Sequence, residues 1–123
     1  MIAGVVNARH EAVVRLRVRG PAGSELDVDT VIDSGFTASM TLPAMIVAAL
    51  GLTRQSVGGA VLADGSVRQF EIYAAEVEWN GGWRSVLVSA VGVEALVGMR
   101  LLAGHELRVA VVPGGAVEIT RLP

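Results

Sequence analysis

Cysteine is absent from the chain, and so is lysine: ten arginines supply every basic side chain. Without cysteine there are no disulfides and no thiolate metal sites. Without lysine there is no Schiff-base chemistry and no phosphate-binding lysine of the P-loop kind. Two histidines, His10 and His105, are too few for most zinc sites. Aromatic residues are limited to Phe36, Phe70, Tyr73, Trp79 and Trp83, a poor basis for stacking nucleobases. The arginines are dispersed except for Arg15, Arg17 and Arg19, and the net charge is −2, so no nucleic-acid footprint is expected. Although 52% of residues are hydrophobic, no run approaches the ~18 apolar residues of a membrane span. The first residues lack the basic start and long apolar stretch of a signal peptide. These absences lead to the expectation of a cytoplasmic protein with no membrane or nucleic-acid partner, no metal and no cofactor.

At 123 residues the chain fits one domain, spanning 1–123, with enough length for a real core. Its pattern is one of short strands broken by glycine-containing turns. Val14, Leu16 and Val18 alternate with Arg15, Arg17 and Arg19; after Gly20–Ser24, Leu26, Val28 and Thr30 alternate with Glu25, Asp27 and Asp29. Folding the loop back sets Arg19 opposite Glu25, Arg17 opposite Asp27 and Arg15 opposite Asp29, all on one face, with the apolar set on the other. A one-residue slip would break all three pairs. Pro43 and Gly51 bracket a short helix. Asp64-Gly65 is a two-residue turn signal joining strands at Gly59–Ala63 and Ser66–Glu78. Asn80-Gly81-Gly82 leads into a strand at Trp83–Val91, with Trp79 and Trp83 expected to pair across it. A single helical turn is expected at Met99–Ala103. Pro113-Gly114-Gly115 turns the last hairpin, between Leu107–Val112 and Ala116–Leu122. The whole predicts an all-β chain with one or two short helices, closed into a barrel to hide its edges. The two histidines are expected on the surface or in turns.

One segment stands out chemically. Val31-Ile32-Asp33-Ser34-Gly35 puts a carboxylate directly after apolar strand residues, where burial is costly unless it is hydrogen-bonded. Ser34 can donate a hydroxyl, and Gly35 lets the backbone turn and bring an amide close. The bland alternative is a capped turn at a strand end, and the triplet alone is short. Two other acidic patterns occur nearby. Asp27-Val28-Asp29 resembles a phosphatase nucleophile motif, but the lysine and the alternating helices of such enzymes are missing. Asp27, Asp29 and Asp33 could cluster round a cation, but the strand register assigns the first two to arginines.

The order of elements around Asp33 is more specific than the triplet. Asp33-Ser34-Gly35 is followed by Leu42-Pro43 at a helix entry. Next comes a hairpin with a glycine tip, Val61-Leu62-Ala63-Asp64-Gly65-Ser66-Val67, and then Leu96-Val97-Gly98 before Met99-Arg100-Leu101-Leu102. Over roughly residues 10 to 112 this order resembles the retropepsin-like aspartic peptidases, and most of all their small prokaryotic members. The resemblance implies an acid-protease β-barrel acting as a homodimer. Each subunit would contribute one catalytic Asp33, with Ser34 hydrogen-bonding the dyad and Gly35 contacting substrate backbone. Leu62, Ala63, Asp64 and Gly65 would form a flap over an extended peptide substrate, and Leu96, Val97 and Gly98 would pack beneath the catalytic loop. The implied activity is that of an aspartic endopeptidase. A catalytically inactive dimeric β-barrel that binds peptides or mediates assembly is the alternative. Two departures from the family pattern are Arg100, where Asp or Asn is usual and for which Asp29 is a possible partner, and Phe36, where alanine is common and a larger ring could crowd the site. In the viral enzymes the chain termini join the dimer sheet, which sets a similar expectation for Ala116–Leu122.

Overall fold

The computed structural model describes residues 1–61 and 63–123, with Ala60 in main chain alone. Strand makes up 56% of the chain and helix 9%, which places it in the all-β class. The order is β1 (Ile2–Val6), β2 (Ala12–Arg19), β3 (Glu25–Ile32), β4 (Met40–Leu42), α1 (Ala44–Leu50), β5 (Thr53–Val61), β6 (Val67–Trp79), β7 (Gly82–Ala90), β8 (Ala95–Val97), α2 (Met99–Leu102), β9 (His105–Val109) and β10 (Ala116–Arg121). All ten strands join one sheet in the order β5-β6-β7-β4-β8-β3-β2-β1-β10-β9, and a further β2–β6 pairing closes six of them into a barrel. Closure removes the edges of those six, leaving β5 and β9 as outer strands.

The β2–β3 hairpin has the register its charges predict: Arg15 lies opposite Asp29, Arg17 opposite Asp27 and Arg19 opposite Glu25. Val14, Leu16, Val18, Val28 and Thr30 point into the core. Two of the three expected ion pairs form, Arg15 Nε to Asp29 Oδ1 at 2.8 Å and Arg17 Nε to Asp27 Oδ1 at 3.1 Å. Arg19 departs from expectation. The end of β2 also pairs with β6, which puts Glu76 on its other side. Its guanidinium donates to Glu76 through Nε and Nη2 and lies 3.9 Å above the centre of the Trp83 ring. The stacked, forked geometry suits arginine. Trp79 and Trp83 consequently do not pair. They are offset by four residues on a tight turn whose Asn80 and Gly81 both take positive φ, and Glu78, not Trp79, faces Trp83. Trp79 is buried and meets His105 edge-to-face at 5.5 Å; His105, expected on the surface or in a turn, is half-buried at the start of β9.

Helix α1 begins after Pro43 and ends at Gly51, which takes the left-handed conformation as a helix-terminating glycine does. Strand β5 is longer than its sequence suggests, because Gly58 and Gly59 sit inside it. The Phe70 ring of β6 covers Gly58, where a Cβ would come within 2.7 Å of it. β10 pairs with β1 on one side and β9 on the other, so both of its edges are used within the chain. No helix is long and apolar enough to cross a membrane among the described residues.

Candidate functional site

Strand β3 leaves the sheet at Ile32, and the next residue carries the candidate carboxylate. The Asp33 amide donates to the Val97 carbonyl (2.9 Å), the last sheet-like bond before the chain turns. Phe36 N–H closes the turn onto the Asp33 carbonyl (3.1 Å), and Gly35 N–H donates to Asp33 Oδ1 (2.9 Å). The side chain is thereby oriented by its own loop, in the manner of an Asx turn. Gly35 does not take positive φ, and the space beside it is tight but not closed. A Cβ at Gly35 would sit 3.3 Å from Asp33 Oδ1. Asp33 is half-buried, while Ser34 and Gly35 are exposed.

Beneath this loop lies Leu96-Val97-Gly98. Strand β8 runs between β3, to which it is parallel, and β4, to which it is antiparallel, so Val97 faces both Ile32 and Met40. Val97 and Met40 are fully buried. Three further main-chain bonds stitch the end of β8 and the start of α2 to the Asp33 loop. They run from Gly98 N–H to the Ser39 carbonyl (2.9 Å), Met99 N–H to the Phe36 carbonyl (2.8 Å) and Arg100 N–H to the Ala38 carbonyl (3.3 Å). A Cβ on Gly98 would lie 2.0 Å from the Ala38 carbonyl oxygen and 2.5 Å from the Phe36 ring, so only glycine fits. The Phe36 ring thus packs against Gly98. Thr41, buried on β4, adds a pair of bonds: its hydroxyl donates to the Glu94 carbonyl (3.1 Å) and accepts from Leu96 N–H (3.0 Å). Sequence reasoning missed Thr41; the only signal was a hydroxyl in an otherwise apolar run. Arg100 forms no ion pair among the described residues; its suggested partner, Asp29, is taken by Arg15.

The expected flap is the outer end of the β5–β6 hairpin. Strand pairing persists to Val61 and Val67, and residues 63–66 lie outside the strands, a longer connection than the two-residue turn suggested by Asp64-Gly65. Asp64 makes the longer turn work. Its Oδ1 accepts from both the hydroxyl (2.6 Å) and the amide (2.9 Å) of Ser66, and Gly65 takes φ of +84°. The Ser66 hydroxyl, then its amide, hold the Asp64 carboxyl below its ordinary range. Ala63, Asp64 and Gly65 are exposed, as are Val61 and Val67; Leu62 lies outside the described residues. The chain therefore brings Asp33, Ser34 and Gly35 together with Leu96, Val97 and Gly98. Among the described residues, no hydrogen bond joins that group to Asp64 or Gly65.

The main concavities lie away from Asp33. One, of about 600 Å³, runs between α1 and the β6–β7 face and is floored by Val47, Leu52, Phe70 and Ala90. Asp27 and Asp29 are engaged by Arg17 and Arg15, and no three acids or histidines converge on a cation position among the described residues. The chain matches no protein-family model, and no curated protein matches it. What the site can do therefore has to be argued from its own chemistry. A single oriented, half-buried carboxylate can accept a hydrogen bond from a donor, and among the described residues no second carboxylate is hydrogen-bonded to it.

Proposed function

We propose that this chain is one subunit of a homodimeric aspartic endopeptidase, with Asp33 as the catalytic carboxylate of each half-site. The observation that carries this reading is the build of the Asp33 loop. Its carboxylate is oriented by the Gly35 amide, its exposed face comprises Ser34 and Gly35, and its underside is fixed to Val97–Arg100 by main-chain bonds. Such a rigid, outward-facing acid is half of a proton-sharing pair. A twofold axis beside Asp33 would bring two copies together and create a cleft between subunits.

Two carboxylates in contact cannot both ionise cheaply, so they hold one proton between them. The ionised member takes a proton from water as the water oxygen attacks the scissile carbonyl carbon. The protonated member hydrogen-bonds the carbonyl oxygen. On collapse of the tetrahedral intermediate the C–N bond breaks, and the leaving nitrogen takes a proton from the dyad. Ser34 hydroxyls hydrogen-bond the pair. The β5–β6 hairpin folds over an extended peptide, which binds by main-chain bonds as an added strand. No cofactor is required.

The deciding experiment measures cleavage of oligopeptides and denatured proteins from acid to neutral pH, alongside sedimentation. A dimer that cleaves, is blocked by a statine-type inhibitor and falls silent as Asp33→Asn is the expected result. Mixing wild type with an equal amount of Asp33→Asn and allowing exchange leaves about half of the starting wild-type activity, about a quarter per total protein, if both copies are needed in each site. A strict monomer, or cleavage that persists in Asp33→Asn, overturns the reading. A dimer that binds peptides without cutting them at any pH points to the binding-module alternative.

A further inference from the structure

We propose that His105 is an acid-sensitive latch fastening the C-terminal β9–β10 hairpin to the barrel, held shut by a neutral ring that accepts hydrogen bonds from Trp79 and Asn80. This inference is independent of the peptidase reading. The tautomer follows from neighbours whose roles cannot change. The Ala103 carbonyl can only accept, and it lies 3.0 Å from Nδ1, so Nδ1 carries the proton. The indole Nε1–H of Trp79 can only donate, and it lies 3.2 Å from Nε2, so Nε2 is bare. The Asn80 amide completes the site with its Nδ2 at 2.8 Å from the same nitrogen. Trp79 is buried, so its N–H has little recourse to water if this acceptor is lost.

Protonating the ring would put a hydrogen on Nε2 facing two N–H groups. The charged groups around it do not compensate. Arg121 is the cross-strand partner of His105 on β10, a like charge for an imidazolium. Glu106 and Glu78 are strand neighbours of His105 and Trp79 and point to the opposite faces of their strands. Glu78 lines a separate cleft with Asn80 and the Met1 end of the chain. None of the described ion pairs involves His105. The latch joins regions distant in sequence. His105 opens β9, an outer strand paired only with β10, while Trp79 and Asn80 belong to the β6–β7 turn of the closed barrel. Protonation of this ring in acid would therefore release β9 before it disturbs the barrel.

The test is hydrogen exchange of the full chain at pH 7.5 and 5.5, corrected for the intrinsic pH dependence, with nitrogen NMR of the histidine rings. The expected result is an Nδ1–H tautomer for His105 at pH 7.5 and loss of protection in β9 and the Asn80 turn on the order of tenfold at pH 5.5, the effect of the lost acceptor bonds. The barrel strands should be unchanged. His105→Gln keeps an acceptor but cannot titrate, so it should abolish the pH difference; His10→Gln, at an exposed turn, should preserve it. Should His105→Gln fail to fold, the ring NMR of the wild type still decides. A charged or Nε2–H ring at pH 7.5, or equal pH effects on β9 and on the barrel, overturns the proposal.

Discussion

The Asp33 loop and the tip of the β5–β6 hairpin are built from the same three residue types. Asp33-Ser34-Gly35 and Asp64-Gly65-Ser66 each place an aspartate whose Oδ1 accepts the amide two residues on, at 2.9 Å in both cases. Locally they are near-equivalent Asx turns. Their settings differ. The first is tied by four main-chain bonds to β8 and α2 over the buried Val97 and Met40. The second projects beyond the last strand pair, flanked by exposed valines. The lesson is that an aspartate turn becomes a candidate reaction centre through what holds it from outside. Tertiary main-chain bonds hold the first turn, and among the described residues none of that kind is found at the second. The proposed division of labour, a fixed acid and a moving cover, follows from that difference.

The comparison can be broken most directly by exchanging an oxygen for a nitrogen at each turn. Asp33→Asn should reduce peptide cleavage by roughly 10²–10⁴-fold or more, the scale of general acid–base catalysis, with thermal unfolding little changed. Asp64→Asn should leave cleavage within a few-fold. Equal effects in the peptidase assay would erase the distinction. A glycine pair gives the next largest contrast. Gly98→Ala drives a methyl into the Ala38 carbonyl and should cost about 3 kcal/mol or more in denaturant unfolding. Gly65→Ala meets open space and has only its positive φ to overcome, about 1 kcal/mol.

Thr41→Val tests the anchoring at one remove. It removes a buried hydroxyl that both donates and accepts, and should lower stability by about 1–3 kcal/mol while dimerisation persists. The smallest effect concerns acid. Because the Ser66 hydroxyl and amide lower the Asp64 carboxyl, the order this turn contributes is complete above the ordinary aspartate range, near ~3.9. It is lost only as pH falls through the lower folded-state value. NMR titration should find Asp64 titrating below an unstructured aspartate, and Ser66→Ala should move it upward. An unmoved Asp64 in that variant would show that the turn does not depend on Ser66.

Much of the architecture was legible in order along the chain. The alternation of arginines and acids specifies the β2–β3 register because any slip separates all the opposite charges at once. Pro43 and Gly51 delimit α1, and Asn80-Gly81 sets a tight turn, because only certain residues adopt the required φ at low cost. Asp33 was legible as a site because a carboxylate at the end of an apolar strand needs a reason. Other features were not legible, and each for a nameable cause. Arg19 chose Glu76 over Glu25 because β2 meets β6 only when the barrel closes. Trp79 found His105, 26 residues away, and Thr41 bridged Glu94 and Leu96, because those partners lie on strands brought together by crossovers.

What the sequence by itself determined is thus local and periodic: which residues alternate, which turn, and which acid sits where an acid is costly. These depend on steric limits and charge order within a few residues. What only the tertiary structure decided is which of two like aspartate turns is held from outside, which arginine leaves its hairpin partner, and which histidine meets a buried tryptophan. Those outcomes depend on contacts between segments far apart in the chain, and no local pattern carries that information until the β2–β6 closure brings them together.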